Sequence, residues 1–540
     1  MIGSLSRWFG AARNFAQTAR GIRAFIRTPP PADCVGLVQR QLQNRDAAFL
    51  DTLRRVVFDN PAHPYREMFR LAKCSHEDVA KLVQSDSLEA ALIQIRAAGV
   101  YLSHDEFKGN APIVRDGREI HASTNSFRNP MVKGTMRHVT SGSRGKPTPS
   151  YRSPEFMLHQ EALHEIVVRE FGLEQRAQVV LRPTLPSALG LQDCAIIARR
   201  GHRLEAWYSS GQGGMYVPAT AALVLMARSV GCRIPFPTVL PENDFSSAAE
   251  QVARLCKEGV PCLVSGPASP AVRLAAAALD GGLDISGTLF LISGESLTDA
   301  KRLVIEQAGA EPYARYGVSE MGFIGHGCRR MTKGDCVHLY SNALAAITHR
   351  RPAPLTDIEV DSLLYTTLLP SAPLVLINFE VNDSGVLEKA DCDCEFSRVG
   401  FHWRIRDIFS FGKMTGHGMT MMGTELVRLL EDVLPARLGG RPGDFQLIEY
   451  EGSTQTTIEL RVSPRVRGSS PEKIRECFLS EIRLLSGGSL AGRAWQHADA
   501  LEVVLAEPVV TASGKINPLH LLGRSTPRQV QLPQATNLPE

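Results

Sequence analysis

The sequence predicts an α/β protein: a large N-terminal domain of mainly parallel sheet flanked by helices, followed by a small α+β domain. Three observations carry this. From about residue 157 onward, short apolar runs alternate with amphipathic helical patterns, as expected for parallel strands joined by crossover helices. After about Arg406 the texture changes to two strand-like runs, a helix and one more strand. At 540 residues, the chain is also too long for one compact core.

The first element is MIGSLSRWFGAARNFAQTARGIRAFIRTPPP. Ile2, Leu5, Trp8, Phe9, Ala12, Phe15, Ala19, Ile22 and Ile26 recur at helical spacing, Arg7, Arg13, Arg20, Arg23 and Arg27 interleave with them, and no acid precedes Asp33. The arginines exclude a signal-peptide core. Three readings stay open: a basic amphipathic helix lying on an anionic membrane surface, a helix packed on the body of the protein, and a transit peptide. Pro29 to Pro31 end it, because consecutive prolines cannot continue a helix. Residues 33 to about 125 read mostly helical, as in AAFLDTLRRVV and HEDVAKLVQ. Then MLHQEALHEIVVREFG reads as a helix, AQVVLRPT and PCLVSG as strands, SPAVRLAAAALDGG as a helix and GTLFLISG as a buried strand. LTDAKRLVIEQAG is helical again, and a short strand follows around PYARYG. In the smaller domain, FQLIEYEGSTQTTIELRV gives two strands about a Gly-Ser turn, PEKIRECFLSEIRLL a helix and ALEVVLAEPVV a strand. The expected boundaries are 1–32 for the basic helix, 33–405 for the large domain, 406–525 for the small one, and 526–540 for a polar, proline-bearing disordered tail.

Hydrophobic residues make up 44% and charged residues 21%, an ordinary globular balance. The net charge of +4 is a weak bias, and beyond the first segment the two signs are interspersed, which argues against nucleic acid as a partner. No run approaches the roughly twenty apolar residues of a membrane span. Eleven cysteines are scattered from Cys34 to Cys477 without a secretory signal, so reduced thiols in a cytoplasmic setting are expected.

Five short stretches carry chemistry. TSGSRGKPTPS presents Thr140, Ser141, Ser143 and Lys146 around Gly142 and Gly145, groups able to converge on an anion. It is not a G-x-x-x-x-G-K-S/T loop, and a plain solvated turn is its other reading. YGVSEMG places Ser319, which can bond a phosphate oxygen, beside Glu320, a hard oxygen ligand for Mg²⁺. ISGES ends a buried strand, where open α/β sheets place ligands. VNDSG offers Asp383 to ribose hydroxyls; RIRD lies at the change of texture; TASGKIN presents Lys515 on a glycine turn. Each alone also reads as an ordinary loop.

Their order and spacing resemble the adenylate-forming superfamily of acyl-CoA synthetases, and within it the phenylacetate-CoA ligase-like branch. There a T-S-G-S/T-T-G-K-P loop is followed by G-G-E, Y-G-x-S/T-E, an aspartate, an Arg-Asp hinge and a Gly-Lys. Here TSGSRGKP, SGE, YGVSE, ND, RD and SGK follow in that order over about residues 130 to 520. The resemblance implies that Thr140, Ser141, Gly142, Ser143, Gly145 and Lys146 surround ATP phosphates, and that Gly294 and Glu295 lie beside the adenine. It implies that Tyr316 and Gly317 line the adenine and acyl region, Ser319 touches phosphate and Glu320 holds Mg²⁺. Asp383 would bind ribose, Arg406 would approach ribose or phosphate, Asp407 would be the hinge of a mobile small domain, and Lys515 would bridge the acid and the α-phosphate. Three departures stand out: Arg144 replaces a small hydroxyl residue, SGE replaces G-G-E, and RIRDIFSFGKMTGHG replaces the common G-R-x-D-D.

The same branch carries a similar C-x-C. Cys328, His338, Cys392 and Cys394 match its pattern and would make a closed tetrahedral Zn²⁺ site, with Cys336 as a substitute for either upstream ligand and His326 as a bystander. Free thiols are the alternative. The implied function is ATP-dependent activation of a fatty or aromatic acid and its transfer to CoA. Two alternatives are loading of a carrier protein's phosphopantetheine or a partner cysteine, and a non-catalytic binding module.

Overall fold

A computed structural model describes residues 2–134, 136–139, 149–210, 216–241, 244–331, 335–352, 359–411, 413–416, 419–450, 457–485, 501–511 and 514–522. The phosphate-loop candidates Thr140 to Lys146 and the tail 526–540 lie outside these residues. The chain divides into two compact units: residues 1–412 with Val510–Ile516, and residues 413–509 with 517–540.

The first unit is α/β, built on a twelve-stranded sheet. Six strands run parallel in the spatial order Pro237–Val239, Leu204–Ser209, Ala177–Leu181, Cys262–Pro267, Leu289–Ser293 and Glu311–Val318. The central strands Ala177–Leu181, Cys262–Pro267 and Leu289–Ser293 are buried at every residue, as strands covered on both faces must be. Their helices carry the expected punctuation. Pro154–Phe171 starts on the Ser153 side chain, has proline in its first turn, and stops at the left-handed Gly172. Ala268–Asp280 and Asp299–Gln307 follow the next two strands.

The sheet continues as six antiparallel strands, Gly322–His326, Val337–Leu339, Trp403–Ser410, Phe379–Lys389, Glu359–Thr367 and Leu344–Pro352. This makes the sheet mixed. The reason is local: no helix-length segment separates most of these strands, so they return as neighbours instead of crossing over.

Helix Ile2–Arg27 places Phe15, Ala19, Ile22, Phe25 and Ile26 against Met136, Met157, Leu191 and Val224, and Ile22 and Phe25 have no exposed surface. Among the described side chains of this helix, the apolar face therefore covers the protein body. Arg199 closes the helix C-terminus, donating to the carbonyls of Phe25 and Thr28 (2.7 Å to Thr28) with its guanidinium 4.2 Å from the Phe25 ring. No described helix is long and apolar enough to cross a membrane.

The second unit is a four-stranded mixed sheet ordered Leu501–Leu505, Thr457–Val462, Phe445–Tyr450, Leu519–Leu522. Helix Pro471–Ile482 packs Ile474 and Phe478 into a core with Leu426, Leu447 and Leu460.

Candidate functional site

The site lies along the carboxyl ends of the parallel strands, where helices and strands leave an edge. Leu289–Ser293 runs out at Gly294, whose φ of 76° turns the chain from the sheet. The Gly294 carbonyl accepts a hydrogen bond from Lys515 Nζ at 2.7 Å. Lys515 stands on a short turn: Val510 bridges Ile516, Thr511 N–H donates to the Lys515 carbonyl at 2.8 Å, and Gly514 N–H donates to the Thr511 carbonyl at 2.8 Å. Ile516 N–H donates to Ser269 Oγ (3.3 Å). Ser269 in turn donates through Oγ and N–H to the Glu295 carboxylate at 2.5 and 2.9 Å. Glu295 thus satisfies an open donor in the first turn of Ala268–Asp280. Gly294 and Glu295 thus join the sequence-distant Lys515 in one connected group.

The next strand brings a second group. Tyr316 donates its hydroxyl to Asp383 Oδ2 at 2.7 Å. Burial, then the Asp383 carboxylate, push that phenol well above its ordinary range. Gly317 lies at an irregularity in the pairing with Gly322–His326. Ser319 offers its carbonyl to Arg152 Nη1 at 3.1 Å. Glu320 is buried and pairs with Lys108 Nζ at 3.2 Å. Burial draws Arg152 down to about 10, opposed by the charge of Glu320. A narrow pocket lies beside Glu320, lined by Phe156, Met321, Leu344, Thr367 and Leu369.

Arg406 donates Nε to Glu388 at 3.1 Å and pairs with Asp407. Asp407 holds φ at 53°, a left-handed conformation uncommon for a residue with a side chain, inside strand Trp403–Ser410. Met136–Val139 and Pro149–Arg152 pair antiparallel with Val139 opposite Pro149, and Thr140–Thr148 join them.

A third group lies apart from these in the same unit. Cys328, His338, Cys392 and Cys394 place their ligand atoms within 4.8 Å of one another, and all but Cys392 are buried. Cys394 Sγ is 3.2 Å from His338 Nε2, and Cys328 Sγ is 3.6 Å from Cys392 Sγ. His338 Nδ1 lies 3.1 Å from the Phe401 carbonyl, to which it donates, leaving Nε2 as the lone-pair nitrogen facing Cys394. A hydrogen bond from the Cys328 thiol draws the Cys394 thiol below its ordinary range. Cys336 is not one of the four. The buried His326 instead bonds Tyr340 through Nδ1 at 2.5 Å.

Several residues around the site gave no motif in the sequence. Lys108 comes from a five-residue helix far upstream of Glu320, and Ser269 is one serine among many. Arg182, Asp193 and Arg315 form a buried ionic group. Arg182 donates Nε to Asp193 Oδ2 at 3.1 Å and Nη2 to Ser293 Oγ at 2.8 Å. Arg315 Nη2 lies 3.7 Å from the same Asp193 oxygen. A usable signal existed: Arg182 and Arg315 each interrupt an otherwise apolar strand pattern, in VVLRPT and PYARYG.

No family model matches the sequence, and no curated protein matches it. Among solved structures, the chain is similar to a 2-hydroxyisobutyryl-CoA ligase in its postadenylation state with R3-HIB-AMP. The identity is 16% over 91% of this chain and 90% of that one, with a TM-score of 0.49. An open conformation of that ligase, with 2-HIB-AMP and CoA, aligns at 16% identity over 94% and 95% of the two chains, TM-score 0.43. An anthranilate CoA ligase bound to anthranoyl-AMP aligns at 12% over 79% and 74%, TM-score 0.39.

Proposed function

We propose that this protein is an adenylate-forming acid–thiol ligase, using ATP to activate a carboxylic acid and passing the acyl group to CoA. The observation that carries the reading is the Lys515 ammonium on the Gly294 carbonyl. A cation is thereby brought to the end of strand Leu289–Ser293, beside Glu295. In the first half-reaction a carboxylate oxygen attacks the α-phosphorus, the bond to the β-phosphate breaks, and pyrophosphate leaves. Two anions must meet, so fixed cations offset their repulsion and the charge developing between them. Lys515 takes that role at the α-phosphate and acid, and Lys146 with the hydroxyls of Thr140, Ser141 and Ser143 takes it at the outer phosphates. Asp383, oriented by Tyr316, accepts bonds from ribose hydroxyls. In the second half-reaction the thiol attacks the acyl carbon and AMP departs. Asp407, in its left-handed conformation, is the position proposed for the pivot between the two steps.

Glu320 fits a divalent ion, since its buried carboxylate already holds a cationic group, the Lys108 ammonium. Glu320 would hold Mg²⁺, which when bound neutralises charge on pyrophosphate.

The test is ATP–pyrophosphate exchange on purified protein against aromatic and aliphatic acids, with CoA discharge read in the same series. Lys515→Ala is expected to lower exchange by at least about a hundredfold, as for loss of one preorganised donor. Folded protein that binds ATP yet exchanges with no acid would refute the reading.

A structural zinc site is the second proposal. Four ligands at 2.0–2.3 Å around a tetrahedral ion lie roughly 3.3–3.8 Å from one another. The Cys328–Cys392 distance of 3.6 Å falls within that spacing, the Cys394–His338 distance of 3.2 Å lies just below it, and the Phe401 carbonyl fixes the required tautomer. Cys394→Ser should lower zinc per chain, measured by elemental analysis, and reduce thermal stability. Metal-free protein of unchanged stability would remove the proposal.

A further inference from the structure

Two long stretches of the chain hold no acidic residue: residues 1–32, with five arginines, and residues 206–241, with two. Together they exceed the net charge of +4 of the whole chain, so the rest of the protein is net negative. The fold brings these two stretches together. Helix Ile2–Arg27 packs against helix Val217–Ser229, with Leu223 and Val224 in the same core as Ile22 and Phe25.

What they leave outside is basic. Arg13, Arg20, Arg23 and Arg27 are exposed, and at about 3.6 residues per turn they fall within roughly a quarter-turn of the first helix. Arg228 and Arg233 are exposed on the second stretch. None of the six makes an ion pair among the described residues. The surface beside them is also apolar. Among the described residues ten large apolar side chains are exposed, and Tyr216, Leu225, Phe236 and Val239 are four of them, gathered within residues 216–239. Leu225, 58% exposed, directly follows the buried Val224 that faces the first helix. Arg228 donates Nε to the Ile234 carbonyl at 2.7 Å and lies 4.5 Å from the Phe236 ring, so the basic and apolar side chains touch. Exposed apolar groups gathered among unpaired cations mark a contact surface, since water favours only the cations.

We infer that this face docks the protein on an anionic lipid bilayer as a peripheral contact. Each arginine at an acidic headgroup layer strengthens binding about fivefold. Leu225, Phe236, Val239 and the Tyr216 ring enter the interfacial layer beside the headgroups, where apolar bodies with polar neighbours are stable. Nucleic acid matches the charge but gives the apolar side chains no comparable medium. The first helix keeps its apolar face on the protein and presents its arginines, so docking needs no release of the helix. None of these residues belongs to the ligase site, and the docking stands or falls apart from that activity.

The test is co-sedimentation of the full-length protein with phosphatidylcholine vesicles, with and without about 30% phosphatidylserine. Wild type should bind only the anionic vesicles and leave them at about 0.5 M salt. Replacing three arginines together (Arg20→Gln, Arg23→Gln, Arg27→Gln) should lower the partition coefficient about a hundredfold. Leu225→Ser with Phe236→Ser should lower it about tenfold. Thermal unfolding confirms that the variants fold. No binding to anionic vesicles, or equal binding to neutral ones, by wild type overturns the inference whether or not the variants fold, and so does unchanged binding by the folded arginine variant. A DNA duplex is run in parallel. Tighter binding to the duplex than to vesicles, with no effect of the apolar pair, would assign the face to nucleic acid and overturn the inference.

Discussion

At Gly514 a single methyl group would meet two obstacles. The residue has φ at 79°, and an added Cβ would fall 2.0 Å from Ser210 Oγ. The turn carrying Lys515 can lie where it does only because no side chain intervenes. Gly514→Ala should therefore lower the exchange rate by disturbing the Lys515 contact while Lys515 itself remains, measured as a fall in kcat with little change in thermal stability. The glycine was visible in TASGKIN, but its reason was not, since Ser210 lies some three hundred positions upstream. The same holds for Glu320: the motif showed the carboxylate, and only the fold supplied Lys108 as its partner.

Helix Ile2–Arg27 shows how an element's periodicity leaves its partner open. Ile22 and Phe25 are fully buried, and Gly21 approaches so closely that a Cβ would lie 2.3 Å from Met136 Cγ. A membrane surface would impose the same apolar stripe, so spacing alone could not choose between them. Phe25→Ala removes both packing and the Arg199 stacking partner and should cost about 3 to 5 kcal/mol of stability, read by denaturant unfolding. A loss below about 1 kcal/mol would mean that the helix contributes little to the body. In the sheet, alternation with helices predicted the parallel half correctly. The antiparallel half, from Gly322 to Ser410, escaped because strands joined without helices leave a weaker periodic signal.

Across the large unit, buried histidines set an acid limit. Burial lowers His63 and His164 to about 4 and His159 to about 3, from an ordinary 6.5. Below 6.5 the unfolded chain takes up protons that the folded form refuses, so stability falls as pH falls toward those values. Glu161 opposes one of the three: burial raises it to about 7, so between 4.5 and 6.5 the folded form holds a proton that the unfolded chain has lost. The net loss is about 1.4 kcal/mol per pH unit for each uncompensated proton. Thermal unfolding followed from pH 6.5 to 4.5 should show a falling midpoint, and a shallower fall in His159→Gln. A flat profile would contradict the burial. The α/β class, most of the helices flanking the parallel strands, the order of the motifs and the candidate ligands all follow from the sequence alone, because each depends on local pattern and spacing. Which residues meet was decided by tertiary structure alone: Lys515 at Gly294, three cysteines and one histidine about one point, and two arginines on one aspartate. Contacts across hundreds of residues depend on how the strands are ordered in the sheet, and no local pattern encodes that order.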